Sequence, residues 1–491
     1  MARDQESVYF SQYFGVSAAR LKRHGAFDIS LVTDLPLFID PFLLFNSRKK
    51  TYRTLHDKII RYLRFLRDKS ASKSLDPGLM QAWYRFPEVR QTWLGFSVSG
   101  NRGHGLGVDF ARSLHNNLNQ LFPEFGKEKV TKGSHLEKLC LVRDGVGRDN
   151  ISDFTTNLIH AFLAEYTQEF ARRYIDGSKR KRVPVRKAHF NYTTESWETV
   201  EYDLPWHARD YVLLTPKDIL TKDETWINKT DLIEEFDRLP DAIPNEELRA
   251  QVNNYFRKQL AMRREPTRKE MHEAALATVL QYPDIIDYYI RYKENTGDKA
   301  QRVSAAKVAE SELLFVAQAG RLRERLAKSG FYVLRKDVHE EARKRVEFLK
   351  DVIENKGGHR LFYMKGQPLQ READLQIMYR LTWYGTSSDV TREANDGRGP
   401  VDFKVSHGAQ NKSLVEFKLA SNPQLKRNLE KQVEVYKKAS DSPRAIKVII
   451  FFSEEQDMRV RRILRELEIA DDPDVVLIDA RNDNKPSGSK A

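Results

Sequence analysis

The chain has 491 residues, 40% hydrophobic and 31% charged, with 26 Phe, 20 Tyr and 6 Trp, which is too long for one ordinary core and too aromatic for a disordered chain. Its mean hydropathy of −0.63 and the absence of any apolar run near ~20 residues argue against a membrane span. The formal net charge of +13 suits a polyphosphate partner, because neutralising phosphates releases counterions, and the single Cys140 excludes a disulfide framework or a cysteine-rich zinc site. The opening Met1–Ser7 lacks the apolar core of a secretory signal, so a cytoplasmic location is expected.

Short apolar stretches at Phe27–Val32 and Leu37–Ile39 precede helical spacing from Leu55 to Arg67. The glycine-rich stretch Gly100–Gly107 lacks the Gly-Lys-Ser/Thr of a phosphate-binding loop and reads as a plain loop. Cys140, within Leu139–Val142, reads as a small core residue. Asp144, Asp149 and Asp153 surround two glycines; metal binding is one reading, and Asp149 or Ser152 capping a helix over Ile151–Tyr174 is the preferred one. Ser178–Lys187 is a basic, proline-containing break, whose Lys179–Arg182 run is a solvated linker or a non-specific phosphate contact. Alternation from Ala188 to Thr215 predicts strands, and the spacing from Asn228 to Leu349 is mostly helical. His339–Arg343 is not the zinc-binding H-E-x-x-H, since position 343 is Arg. These sections predict a mixed α/β N-terminal region over 1–225, a mostly helical region over 226–354, an α/β sandwich over 355–481, and a mobile polar tail over 482–491.

The C-terminal section carries the chemistry. Helical spacing over Arg371–Trp383 is followed by predicted strands at Asp389–Ala394, Pro400–Ser406 and Ser413–Ala420. A helix over Gln424–Ala439, a buried strand over Ala445–Phe452, a helix over Met458–Leu467 and a strand over Val475–Asp479 complete it. A period of two sets Asp402, Lys404 and Ser406 on one face of the second strand, and Leu414, Glu416 and Lys418 on one face of the third. The connector His407–Lys412 is short and contains Gly408 and Asn411, so an antiparallel hairpin would bring Asp402 beside Glu416 and Lys418. Two carboxylates can hold Mg²⁺, with the Phe417 carbonyl as a further oxygen ligand. A lysine beside them can orient or deprotonate the attacking water of phosphodiester hydrolysis.

On these residues the section 355–480 resembles the PD-(D/E)xK nuclease superfamily, which has a restriction-endonuclease-like fold. Asp402, preceded by Gly399-Pro400-Val401, matches the first carboxylate, and Glu416-Phe417-Lys418 matches E-x-K. The resemblance adds Glu372 as an acidic residue on the preceding helix, in competition with Asp374 and with Glu393 on the first strand. Gln432 and Tyr436, spaced to share a helix face, match the Q-x-x-x-Y of RecB-type branches; a hydrogen-bonded core pair is the other reading. Lys404, Lys426 and Arg427 are candidate phosphate contacts. The resemblance implies an endonuclease that cuts DNA with Mg²⁺ (Mn²⁺ as a substitute), in restriction or antiviral defence. The size and basic character of the N-terminal region lead to the expectation that it selects the substrate or engages a protein partner or second copy. The alternatives are an inactive nuclease fold serving as a nucleic-acid-binding scaffold, and a nuclease acting on RNA.

Overall fold

The computed structural model describes the chain except residues 1–8, 33, 71–75, 96–107, 122–127, 143–147, 223, 261–266, 319–336, 365–366, 369–378, 380–388, 396–399, 408–410, 431–443 and 486–491. The glycine-rich stretch 100–107, Asp144, Glu372, Asp374, Gln432, Tyr436 and the last residues of the predicted tail therefore lie outside the described residues. What is described is a mixed α/β protein in which no helix is long and apolar enough to cross a membrane.

In the N-terminal section the helix Lys50–Lys69 turns Tyr52, Leu55, Ile59, Tyr62, Leu63 and Leu66 inward and leaves Lys50, Lys58, Arg61 and Arg64 exposed. It begins five residues before its predicted start, because its first turn is nearly all polar and offers no apolar period to read. Strand β1 (Leu37–Ile39) is followed in the chain by the hairpin β2 (Arg180–Asn191) and β3 (Ser196–His207), which the short β4 (Asp210–Tyr211) extends. Then β5 (Leu220–Lys222) returns antiparallel to β1.

Three expectations change here. The basic break at Ser178–Lys187 is mostly strand: Val183 and Val185 are buried while Lys181, Arg182, Pro184 and Arg186 face out. Charges occupy the solvent positions of a period-two pattern, and Pro184 is tolerated because β2 is the edge of its sheet. The helix expected over Ile151–Tyr174 is two helices, Arg148–Leu158 and His160–Tyr174. The Thr155 and Thr156 hydroxyls donate back to the carbonyls of Ile151 and Ser152, each at 2.7 Å, a pattern that bends helices just before this break. Ser152 lies inside the first of the two and caps nothing; its Oγ accepts the Ile39 amide at 2.9 Å and docks the helix on β1. Asp149 stands in that helix's first turn, and Cys140 is buried in the core as expected.

The helical section from 229 onward divides between two bodies. Helix Ile285–Asn295 is tied to the N-terminal core by the Tyr289 hydroxyl, which donates to the Asn228 carbonyl at 3.0 Å, and by Lys293, which pairs with Asp231. Helix Gly297–Ser311 follows it there, with the Gln301 side chain donating to the Asn46 carbonyl at 3.0 Å. Helix Val338–Asn355 instead packs on the C-terminal sheet. After the small pair β6 (Tyr363–Met364) and β7 (Gln367–Pro368) come β8 (Asp389–Asn395), β9 (Pro400–His407), β10 (Asn411–Leu419), β11 (Arg444–Phe451) and β12 (Val475–Asp479). These last five form one sheet in the order β12-β11-β10-β9-β8. The meander β8–β9–β10 is antiparallel, and β10, β11 and β12 run parallel. Parallel neighbours need a crossover, and the helix Glu454–Glu466 supplies the one between β11 and β12.

Candidate functional site

Strand β10 is the hinge of the C-terminal sheet, with an antiparallel neighbour on one side and a parallel one on the other. Its alternation divides the sheet's two coats. Val415 and Phe417, with Ile446, Val448 and Ile478, belong to the core cluster that includes Val346, Leu349 and Val352 of the helix Val338–Asn355. Tyr379 lies on the same side, its ring 5.1 Å from that of Phe417. On the other face Ala420 and Ile449 pack with Leu425, Leu429, Val460, Ile463 and Leu464. Glu416 and Lys418 have the parity of this second face.

The β9–β10 ladder runs from Asn411↔His407 to Val415↔Phe403. One further step in that register sets Asp402 opposite Glu416, as the predicted hairpin requires. The β8–β9 ladder contains Arg392↔Phe403 and Ala394↔Val401, so the position between them pairs Glu393 with Asp402. On the other side Glu416 pairs with Lys447 of β11. Glu393, Asp402, Glu416 and Lys447 thus occupy one row across four strands, with Lys418 two residues along β10.

The side chains of Glu393, Asp402 and Lys404 lie outside the described ones; Lys404 has a register position opposite Leu414. Glu416 is 4% exposed and Lys418 is half-buried. Among the described residues no group of three or more His, Cys, Asp or Glu side chains is arranged to hold a metal ion, and Glu416 is the only predicted carboxylate ligand whose side chain is described. The Phe417 side chain is buried on the opposite face, which leaves only its main-chain carbonyl as a ligand candidate. That carbonyl sits past the last β9 pair, on the part of β10 that continues against β11 to Leu419↔Ile450.

Residues 425–430 are helical, as expected for the segment after β10. There Lys426 pairs with Glu466 at 2.9 Å, so a phosphate would have to compete for it, whereas Arg427 is exposed. The structure also assigns work to residues that sequence reasoning passed over. Lys447, hidden in the apolar run of β11, is 6% exposed and stands 3.5 Å from Asp472. Arg459 donates to the carbonyls of Ala420 at 2.7 Å and Asn422 at 2.9 Å, which pins the chain just after Lys418. His339 bridges Ser413 Oγ through Nδ1 at 3.0 Å and Asp474 through Nε2 at 2.9 Å, fastening its helix to the start of β10. Lys350 donates to the Leu477 carbonyl, and Glu354 accepts the Asp479 amide, each at 2.8 Å, so this helix satisfies main-chain groups of the edge strand β12.

Among known proteins, residues 15–228 match a family described as a domain of unknown function (DUF8370). Residues 338–454 match a second, also described as a domain of unknown function (DUF8371). The second match begins with the helix that His339 fastens to the sheet, and it includes β8 to β11. No curated protein and no solved structure matches the chain.

Proposed function

We propose that the C-terminal section is a restriction-endonuclease-like domain that hydrolyses phosphodiester bonds with Mg²⁺, most readily in DNA. The observation that carries this reading is the β9–β10 register, which, continued one step beyond Val415↔Phe403, sets Asp402 opposite Glu416, with Lys418 sharing the parity of Glu416. An antiparallel meander feeding a parallel pair, coated by helices on both faces, agrees with the α/β sandwich that the reading requires.

The donor set is chemically apt for Mg²⁺, which takes hard oxygen ligands and retains waters. Asp402 and Glu416 would hold the ion, with the Phe417 carbonyl beside them and Glu372 or Glu393 as the third acid. Bound there, Mg²⁺ lowers the pKa of water and neutralises charge on the phosphate. The near-complete burial of Glu416 favours pairing with a cation, since an isolated buried carboxylate is costly. Lys418 orients the attacking water and receives its proton or offsets the growing negative charge. Water oxygen bonds to phosphorus, the bond to the departing ester oxygen breaks, and that oxygen leaves with a proton to give a hydroxyl and a phosphomonoester.

A substrate panel tests the reading. Full-length protein is incubated with supercoiled plasmid, linear duplex, single-stranded DNA and structured RNA, with Mg²⁺ or with EDTA. Mg²⁺-dependent cleavage of the DNA substrates is expected. Cleavage of RNA alone would replace the substrate, and metal-independent binding without any cleavage would overturn the activity.

A further inference from the structure

A cavity of about 570 Å³ opens in the N-terminal section, between the helices Lys50–Lys69 and His160–Tyr174 and the hairpin β2–β3. Lys50, Lys58 and Arg61 line it from one helix, and His189 lines it from β2; all four side chains are exposed. Offsets of eight and eleven residues set the three helix cations along one stripe. Glu165 is the only acid among the lining residues, and among the described residues no ion pair ties Lys50, Lys58 or Arg61 to a carboxylate.

The inner wall is aromatic. The Phe190 ring centroid lies 4.8 Å from Tyr62, 5.2 Å from Trp197 and 5.1 Å from Tyr192, a braced cluster. The Tyr62 hydroxyl donates to the Trp83 carbonyl at 2.8 Å and accepts the Trp197 indole N–H at 3.2 Å, which holds two of these rings in place. Tyr192 and, from the opposite helix, Phe162 are partly exposed. The Arg61 guanidinium already lies over the Tyr192 ring, its Cζ 3.9 Å from the centroid.

Cations over a rigid aromatic wall, in a space within the ordinary range of ligand pockets, match one ligand chemistry. An acidic peptide would use the cations and leave the aromatic wall empty, while a neutral apolar ligand would leave the cations without partners. We propose that this cavity binds a nucleotide unit, with the base against the Tyr192 and Phe162 side and the phosphate on Lys58, Arg61 and Lys50. The unit is supplied by a single-stranded nucleic acid or by a free nucleotide. The site shares no residue with the C-terminal row, so its occupancy does not depend on phosphodiester hydrolysis.

Full-length protein in EDTA is titrated with a fluorescein-labelled oligothymidylate of about twelve residues, and separately with ATP and AMP as competitors. Binding is expected, weakened about tenfold or more in Tyr192→Leu, in the double variant Lys58→Ala/Arg61→Ala and in Lys58→Glu. Adding Tyr192→Leu to the Lys418→Ala protein should weaken binding by the same factor as it does in the wild type, which separates this site from the hydrolytic one. Oligonucleotide binding resistant to ATP assigns a strand, and ATP displacement at equal or better affinity assigns a free nucleotide. Absence of binding to every probe, or binding unchanged in Lys58→Glu and in Tyr192→Leu with unaltered circular dichroism, would overturn the proposal.

Discussion

Glu294→Ala should destabilise the N-terminal body more than any single surface change. The Glu294 side chain is wholly buried on the helix Ile285–Asn295. Its carboxylate accepts the Lys132 amide on both oxygens, at 2.8 and 2.7 Å, and the Gly133 amide at 3.1 Å. His135 Nε2 meets it at 2.9 Å. The variant leaves the buried His135 ring nitrogen without its carboxylate partner and strips the acceptor from the amides of the exposed Lys132 and the half-buried Gly133. At about 1–3 kcal/mol for each orphaned buried group, and with about 3–5 kcal/mol typical for breaking a buried pair, the loss is about 4 kcal/mol. For a body of some two hundred residues or more that lowers the melting temperature by roughly 10 °C. Scanning calorimetry of the wild type and variant reads this directly. A shift under about 2 °C would refute the assignment of Glu294 as the pin between that helix and the Thr131–Leu136 segment.

Burial raises the Asp40 carboxyl to about 6, against opposing hydrogen bonds from the amides of Trp226 and Phe42. The folded state then keeps a proton that the unfolded chain releases, so this stability is full below pH ~4 and is lost as pH rises through ~6, by about 3 kcal/mol. Asp40→Asn should flatten that slope in denaturant midpoints taken between pH 4.5 and 7, and an unchanged slope would refute it. Among the described residues neither carboxyl oxygen of the buried Glu137 completes a well-formed hydrogen bond, the amides of Phe42 and of Glu137 itself lying nearby, and burial followed by the nearby Asp40 pushes its pKa well up. Glu137→Leu should therefore raise stability at pH 7 by about 1–2 kcal/mol; a fall would show that the carboxyl is needed. His339→Ala should lower the stability of the C-terminal sheet by about 1–3 kcal/mol, read as faster amide exchange in β10 and β12 with the N-terminal strands unchanged.

Strands β9 and β10 were legible because each alternates cleanly: predicted Pro400–Ser406 and Ser413–Ala420 match them within two residues at either end. The short connector made their pairing readable, and the register agrees. Lys447 was hidden because its strand is apolar on both faces and offers no parity signal; only the ladder identifies its neighbour as Glu416. Strand β2 was obscured by charges at its solvent positions, and the break at Ile159 by apolar spacing that runs on through it. The Glu294 pin and the basic, aromatic cavity join segments more than a hundred residues apart, which no local pattern encodes.

The most direct test of the central claim is the initial rate of Mg²⁺-dependent plasmid cleavage by wild type, Glu416→Gln and Lys418→Ala. Circular dichroism melts of each protein confirm an intact fold. The account predicts cleavage by the wild type that EDTA abolishes, and a loss of about 10²-fold or more in each variant without a matching loss of stability. Cleavage that persists in EDTA, or that proceeds at the wild-type rate in Lys418→Ala, would contradict it.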